Sequence, residues 1–189
     1  LGGSFLVRLG MRYGRPSIRE GLEALVQAGC GEVIALPLFP QYSHAVSGSA
    51  ENLLCQLPSA VPLRLQHEFH RHPAYIAALT ERTRESGWPA SWNHLFISFH
   101  GLPQRSLLLG DPYFCLCQKT GRLLAEALGL TAGDYLITFQ SRFGKAKWLQ
   151  PYTQPTLEKL ARDGVARVDV ICPGFVADCL ETLEEVAME

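Results

Sequence analysis

The sequence has 189 residues, of which 47% are hydrophobic and 19% are charged, and its formal net charge is −1 at pH 7. This near-neutral balance argues against a nucleic acid as a partner, because phosphate backbones require a basic surface. No apolar run approaches the roughly 20 residues needed to cross a bilayer, and residues 1–9 lack the pattern of a signal peptide. We therefore expect a cytoplasmic globular protein with one large or two small domains, and leave peripheral membrane contact and oligomeric state open.

The chain contains six scattered cysteines. They are Cys30, Cys55, Cys115, Cys117, Cys172 and Cys179. Only Cys115 and Cys117 are close in sequence, and one C-x-C pair without a second pair at metal-ligand spacing is a weak signal for zinc or an iron–sulfur cluster. Free cytosolic thiols are the preferred interpretation.

The first predicted elements are a helix and a strand. Ser17 and Glu20 have the spacing of a helix capping box, and an apolar face follows until Gly29. Residues 32–39 then form a continuous apolar run, which predicts a strand buried on both faces.

A polar loop follows at residues 40–49 and leads into a second helix. Its hydroxyl and backbone N–H groups suit an anion such as a carboxylate or phosphate, and an ordinary capped loop is an equal alternative. Residues 62–69 predict a second strand, and Pro73 begins a third helix.

The breaker sequence G-W-P at residues 87–89 predicts a domain boundary. It divides the chain into the remainder of an N-terminal α/β lobe, residues 1–88, and a C-terminal lobe, residues 89–189, that ends in an acidic helix. The strands predicted in the second lobe are residues 95–99, 135–139 and 168–172. Alternating strands and helices predict an α/β fold in which parallel sheets are flanked by helices.

His100 is the first candidate functional residue, because it directly follows the strand predicted at residues 95–99. Strands of a parallel sheet end at its carboxyl edge, and ligands bind at that edge in open α/β folds. The alternative is a histidine that only ends its strand.

Glu181, Glu185 and Glu189 recur every four residues in the final predicted helix. In a regular α-helix this spacing drifts by roughly 40° per step, whereas a π-type turn would bring the carboxylates closer to one line. Such a stripe is usually a solvated face. Glu181, however, lies among apolar residues, where a carboxylate is costly unless it binds a cation or a proton.

A histidine and carboxylates at one edge of a sheet can bind a divalent metal weakly or transfer protons near neutral pH. Because thiolates and a three-histidine cage are missing from this set, it favours a metal in transit over a structural metal.

Tyr13 and Trp148 lie near Arg12 and Arg142 in sequence, and an aromatic face beside a guanidinium can receive a flat ligand with carboxylates. Core or hinge positions are the preferred alternative for both aromatic residues.

Two other enzyme classes are disfavoured by missing motifs. The sequence has no G-x-S-x-G elbow of a serine hydrolase, and neither G-x-G-x-x-G nor a P-loop for a nucleotide.

A series of motifs in order along nearly the whole chain resembles the ferrochelatase family, and its bacterial members most closely. The motifs are MRYG at 11–14, LPLFPQYS at 36–43, SFHGLP at 98–103, GDPY at 110–113, QSR at 140–142, WL at 148–149 and LETLEE at 180–185. The resemblance implies the class II chelatase fold, in which two similar Rossmann-like lobes enclose a porphyrin cleft, with the first lobe incomplete here.

The resemblance also implies roles for individual residues. His100 and Glu181 match the catalytic pair, associated with metal delivery and removal of pyrrole protons, so both are predicted metal contacts. Glu185 and Glu189 match the rest of an acidic path for metal or protons along a π-helical segment. The predicted porphyrin-binding residues are Arg12, Tyr13, Ser43 and Trp148.

The activity implied by the resemblance is insertion of Fe²⁺ into a porphyrin, most simply protoporphyrin IX, to give haem with release of two protons. Fe²⁺ is then a substrate, and no permanently bound cofactor is expected. Cys179 stands where many relatives have a second histidine. In cluster-bearing relatives a cysteine follows the PQYS motif, whereas His44 follows it here. Those relatives also have a C-terminal extension with the other ligands, and this chain ends at Glu189. No iron–sulfur cluster is therefore expected.

Family members also have an N-terminal segment that completes the first lobe, so this chain by itself can be inactive. Two alternatives remain open at this point. One is a chelatase that inserts cobalt or nickel into another tetrapyrrole, and the other is a porphyrin- or haem-binding protein without turnover.

Overall fold

The computed structural model describes residues 5–87 and 94–188. The chain divides into two compact units, which are the described parts of Leu1–Pro37 with His44–Glu68, and of Leu38–Ser43 with Phe69–Glu189. The predicted boundary between residues 88 and 89 lies outside the described residues and stays a prediction.

The smaller unit begins with α1, Ile18–Gln27, and the predicted capping box is present. The Ser17 hydroxyl accepts a hydrogen bond from the backbone N–H of Glu20 at 3.2 Å, and the Glu20 carboxylate accepts one from the Ser17 N–H at 2.6 Å. These bonds satisfy two donors at the start of α1 that have no partner within the helix. The prediction of this helix is confirmed.

The smaller unit also contains a parallel pair of strands, β1 (Val33–Ala35) and β2 (Leu63–Leu65), and the helix α2 (Ser47–Gln56). The predicted strand at residues 32–39 is wrong in both length and burial, since Ile34 is 56% and Leu36 52% exposed. In the described residues β1 pairs with β2 alone. Within the described residues, the face of β1 that carries Ile34 is therefore exposed.

The larger unit is a three-stranded parallel sheet flanked by helices. In chain order its elements are α3 (Pro73–Glu85), β3 (His94–His100), α4 (Gln104–Leu108), α5 (Tyr113–Leu128), β4 (Tyr135–Gln140), α6 (Thr153–Arg162), β5 (Val168–Ile171) and α7 (Leu180–Leu183). The strand order is β4-β3-β5, and both pairings are parallel. The predicted α/β fold with parallel, helix-flanked sheets is confirmed.

The central strand β3 forms the core of the larger unit. Every residue from 95 to 99 is buried, and Leu95, Ile97 and Phe99 belong to one cluster with side chains of α5 and β4. Helix α5 is followed by Gly129, whose φ of 74° gives it a left-handed C-cap. Among the described residues, no helix is long and apolar enough to cross a membrane.

The acidic helix is shorter than predicted. The helix α7 covers only Leu180–Leu183, and residues 184–188 form turns. Glu181 and Glu185 therefore do not share one regular helix, and Glu189 lies outside the described residues. Both described carboxylates are half-buried.

Candidate active site

His100 is the last residue of β3 and lies at the carboxyl edge of the sheet. It pairs in register with Gln140, the last residue of β4. The apolar run at residues 95–99 places it there, since this run is buried between two neighbouring strands and the polar residue after it emerges at the edge. The location is the one predicted for a ligand-binding residue.

The backbone around His100 is fixed on both sides of the residue. The hydroxyl of Tyr113 donates a hydrogen bond to the His100 carbonyl oxygen at 3.0 Å, and the N–H of Gly101 donates to the Gln140 carbonyl oxygen at 2.8 Å. Gly101 is buried, and this close approach to β4 leaves no space for a side chain. The strand end is therefore a rigid support for the imidazole.

The imidazole of His100 has a defined tautomer. Its Nδ1 lies 2.6 Å from the carbonyl oxygen of Gly101, and because a carbonyl oxygen only accepts, Nδ1 carries the proton. In the neutral ring Nε2 then has a lone pair and can accept a proton. The rings of Trp148 and Phe175 flank the imidazole, each with a centroid 6.4 Å from its centroid.

Glu181 is the carboxylate associated with His100. Its pKa is lowered chiefly by a hydrogen bond from the Cys179 side chain, then by its own backbone N–H, while burial opposes the shift and a coulombic interaction with His100 also lowers it. The backbone carbonyl of Glu181 accepts a hydrogen bond from Gln140 Nε2 at 2.8 Å. An electrostatic interaction therefore links Glu181 to His100, and the catalytic role of this pair stays a prediction.

Sequence reasoning missed a buried chain of polar side chains beneath this pair. The Gln140 Oε1 atom accepts hydrogen bonds from the Ser98 hydroxyl at 2.6 Å and the Cys172 thiol at 3.5 Å. Thr153 Oγ1 lies 2.9 Å from the hydroxyl oxygens of both Ser98 and Thr138. Polar residues at alternate positions of strands predicted to be buried were the signal that could have found this chain.

Glu185 is the one remaining residue of the predicted acidic path that the structure describes. The carboxylate of Glu185 accepts a short hydrogen bond from the Ser141 hydroxyl. No arrangement of three or more His, Cys, Asp or Glu side chains that could bind a metal ion occurs among the described residues. The roles of His100 and Glu181 as metal contacts stay predictions.

Two of the predicted porphyrin-binding residues, Trp148 and Ser43, belong to the larger unit. Trp148 is only 5% exposed, and its indole Nε1 has no hydrogen-bond acceptor in the described part of the chain. Ser43 is buried, and its hydroxyl donates to Asp111 Oδ2 at 2.9 Å. Asp111 Oδ1 in turn accepts from the Tyr113 N–H at 2.9 Å, so Ser43 supports the start of α5.

The other two, Arg12 and Tyr13, belong to the smaller unit. The Arg12 guanidinium lies 4.7 Å from the ring centroid of Tyr13, and its Nε donates to the Ser49 hydroxyl at 3.0 Å. Tyr13 is 76% exposed, so one aromatic face with an adjacent cation is open to a flat ligand. Binding of porphyrin by these four residues stays a prediction.

These features define a class of protein: a parallel α/β fold with a histidine and a glutamate beside each other at the carboxyl edge of its sheet. Comparison with known proteins narrows the class. Residues 2–189 match the family model described as ferrochelatase, and the chain belongs to that family.

Curated ferrochelatases share about half of their residues with this chain over the matched region. The chain is 50% identical to the protein of Polaromonas sp. over 97% of its own length, 52% identical to that of Nitrosococcus oceani over 98%, and 51% identical to that of Azoarcus sp. over 95%. The matched region is 51–52% of each relative. The chain therefore spans about half the length of the curated relatives that it matches.

Proposed function

We propose that the protein is a ferrochelatase, which inserts Fe²⁺ into a porphyrin, protoporphyrin IX in the simplest case, to form haem with release of two protons. The proposal rests on membership of the family and on one observation, the distance of 2.6 Å between His100 Nδ1 and the carbonyl oxygen of Gly101. An Nδ1–H bonded to the Gly101 carbonyl leaves Nε2 as a base at the edge of the sheet. A base is required because two pyrrole N–H protons have to leave as the metal enters.

In this proposal His100 accepts pyrrole protons and Glu181 helps to deliver the metal. The carboxylate of Glu181, whose pKa is lowered from its ordinary value, is ionised at neutral pH and can attract a divalent cation. It also stabilises the imidazolium that forms when His100 takes up a proton. Glu185 and Glu189 would continue the path for metal or protons away from this pair.

Arg12, Tyr13, Ser43 and Trp148 would bind the porphyrin. The exposed ring of Tyr13 beside the Arg12 guanidinium and the indole of Trp148 beside His100 support this role, because porphyrins are flat, aromatic and carry carboxylates. Ser43 is included on the family resemblance alone. Porphyrin and Fe²⁺ would be the partners, in the cytoplasm, without a permanently bound cofactor or an iron–sulfur cluster.

The role of His100 can be tested by metal insertion in the full-length gene product, with Fe²⁺ or Zn²⁺ and a soluble porphyrin. We expect His100→Ala to lower kcat by at least about 100-fold, the usual contribution of a general base. His94→Ala is the matched control, because His94 lies at the opposite end of the same strand. Near-normal turnover of His100→Ala would refute the assigned role.

The same assay separates the alternative functions. A clear preference for Co²⁺ or Ni²⁺ with another tetrapyrrole, in direct competition with Fe²⁺, would contradict ferrochelatase activity. Tight porphyrin binding by the wild-type protein with no incorporation of any of these metals would indicate a binding protein rather than an enzyme.

A further inference from the structure

Gln140 and Ser141, at the end of β4, both bond to the segment that carries Glu181 and Glu185. Gln140 Nε2 donates to the backbone carbonyl of Glu181 at 2.8 Å. The hydroxyl of Ser141 donates to the carboxylate of Glu185 in a short hydrogen bond. The function proposed above uses the two glutamates but assigns nothing to Gln140 or Ser141.

The backbone of Ser141 has an unusual conformation. In the described part of the chain it is the only residue other than glycine with a positive φ, 63°. This left-handed region costs free energy for any residue with a side chain, and such residues concentrate at functional sites. In a strand that continued, residues 140 and 141 would point to opposite faces of the sheet. The left-handed turn instead allows both side chains to reach one segment.

The side-chain amide of Gln140 is held in one orientation. It is buried, and its Oε1 already accepts from the Ser98 hydroxyl and the Cys172 thiol. Since the oxygen side of the amide is bonded to these two donors, the NH₂ group is directed to the Glu181 carbonyl. The hydrogen bond to Glu181 therefore connects the acidic segment to β4, to β3 and to the residue that follows β5.

The acidic segment depends on such anchors. The helix α7 spans only Leu180–Leu183, and turns follow it to residue 188. One helical turn is unstable by itself, because nucleation fixes several residues for a single hydrogen bond. Contacts to a rigid element outside the segment are needed to hold its carboxylates in place.

We propose that Gln140 and Ser141 are positioning residues of the metal path. Gln140 fixes the backbone at Glu181, and Ser141 fixes the carboxylate of Glu185, so that both carboxylates are oriented before the metal arrives. The two residues act through the glutamates. This inference rests on the proposed function, because that function assigns the glutamates to metal delivery.

The role of Ser141 is tested in the full-length gene product with Ser141→Ala and Ser141→Gly. Both variants lose the hydroxyl, but only glycine adopts the positive φ without strain, so their stabilities should differ. We expect the KM for Zn²⁺ or Fe²⁺ to rise about tenfold in both, as for a lost charge-assisted hydrogen bond, with the KM for porphyrin changed less than twofold. If instead the KM for the metal rises more in the less stable of the two variants, the positioning role would be refuted.

A double-mutant cycle shows whether Ser141 acts through Glu185. We expect Ser141→Ala to have no further effect on the metal KM when Glu185→Ala is already present, because the partner is missing. An equal effect of Ser141→Ala with and without Glu185 would overturn the assignment. So would an unchanged metal KM of Ser141→Ala in an otherwise active protein.

The role of Gln140 is tested by amide hydrogen exchange, which does not require activity. Gln140→Met keeps most of the side-chain volume and removes the donor. We expect exchange at the amides of Leu183 and Glu184 to accelerate about tenfold, with the amides of β3 unchanged. Gln150→Met is the control, since Gln150 is exposed and does not contact the segment through any bond in the described residues.

The outcomes separate this inference from the proposed function. A wild-type protein that inserts no metal would contradict the function, whereas the exchange experiment would still report the anchoring. Wild-type activity combined with unchanged exchange in Gln140→Met would overturn the Gln140 assignment alone.

Discussion

Gly101 and Trp148 approach each other so closely that no side chain fits between them. A Cβ atom on residue 101 would lie 3.1 Å from Cε3 of the indole and 2.9 Å from the backbone carbonyl oxygen of Gln140. The carbonyl cannot move away easily, because β4 pairs with β3 along its whole length. The residue directly after His100 is therefore glycine for a steric reason.

We expect Gly101→Ala to lower the free energy of unfolding by about 1–3 kcal/mol, as overpacking of a buried site usually does. Denaturant unfolding of the full-length gene product measures this change. Gly133→Ala is the control, because a Cβ at residue 133 would meet no atom within 4 Å. Equal stability of the two variants would show that the strand end has room to relax.

Thr153 links two strands of the sheet through the buried chain of hydroxyl groups. Its Oγ1 lies 2.9 Å from both Ser98 and Thr138 oxygens. Thr153→Val keeps the shape of the side chain but removes one hydrogen-bond partner from the buried hydroxyls of Ser98 and Thr138, so we expect a loss of about 1–3 kcal/mol in the free energy of unfolding. Thr153→Ser retains the hydroxyl and should lose less. A Thr153→Val variant as stable as the wild type would contradict the importance of this chain.

Burial raises the pKa of the Cys172 thiol from 9.0 to about 12, and the nearby Cys179 adds to the shift. At pH 8 the thiolate fraction is then roughly a thousandfold below that of an ordinary cysteine, so iodoacetamide should modify Cys172 at least about 100-fold more slowly than exposed cysteines. Peptide mapping by mass spectrometry measures this, with the exposed Cys55 and Cys115 as internal references. Comparable rates for all three would contradict the burial of Cys172.

The same shift has a consequence for stability at alkaline pH. The folded pKa lies above the unfolded value, so the folded state binds more protons between about pH 9 and pH 12. The stabilisation is complete below pH 9 and is lost as the pH rises through this window. Cys172→Ser should remove this part of the alkaline loss, measured as the difference in unfolding free energy between pH 8 and pH 10.5.

Sequence signals within a few residues were sufficient to predict helix ends and buried strands. The capping box of Ser17 and Glu20 and the buried strand before His100 were both predicted and are confirmed. The apolar run at residues 32–39 was misread because burial depends on the layers that pack on a strand. That information is absent from the run itself.

The candidate site was predictable in part. His100 and Glu181 were identified, the first from its place after a buried strand and the second from its apolar surroundings. Gln140 and Ser141 were recognised only as part of a motif, because the bonds that give them a role join residues far apart in sequence. The short α7 was also missed, since the four-residue spacing of the glutamates is equally compatible with a long helix.

The central position of β3 makes His100 and the glutamates near it unequal in local stability. Freeing the backbone of His100 would mean separating β3 from β4, which is close to unfolding the whole unit. Releasing Glu181 and Glu185 needs little more than the loss of two side-chain hydrogen bonds and one helical turn. The backbone of the histidine is thus held more firmly than that of the glutamates, and any local movement at this edge of the sheet has to occur on the side of the glutamates.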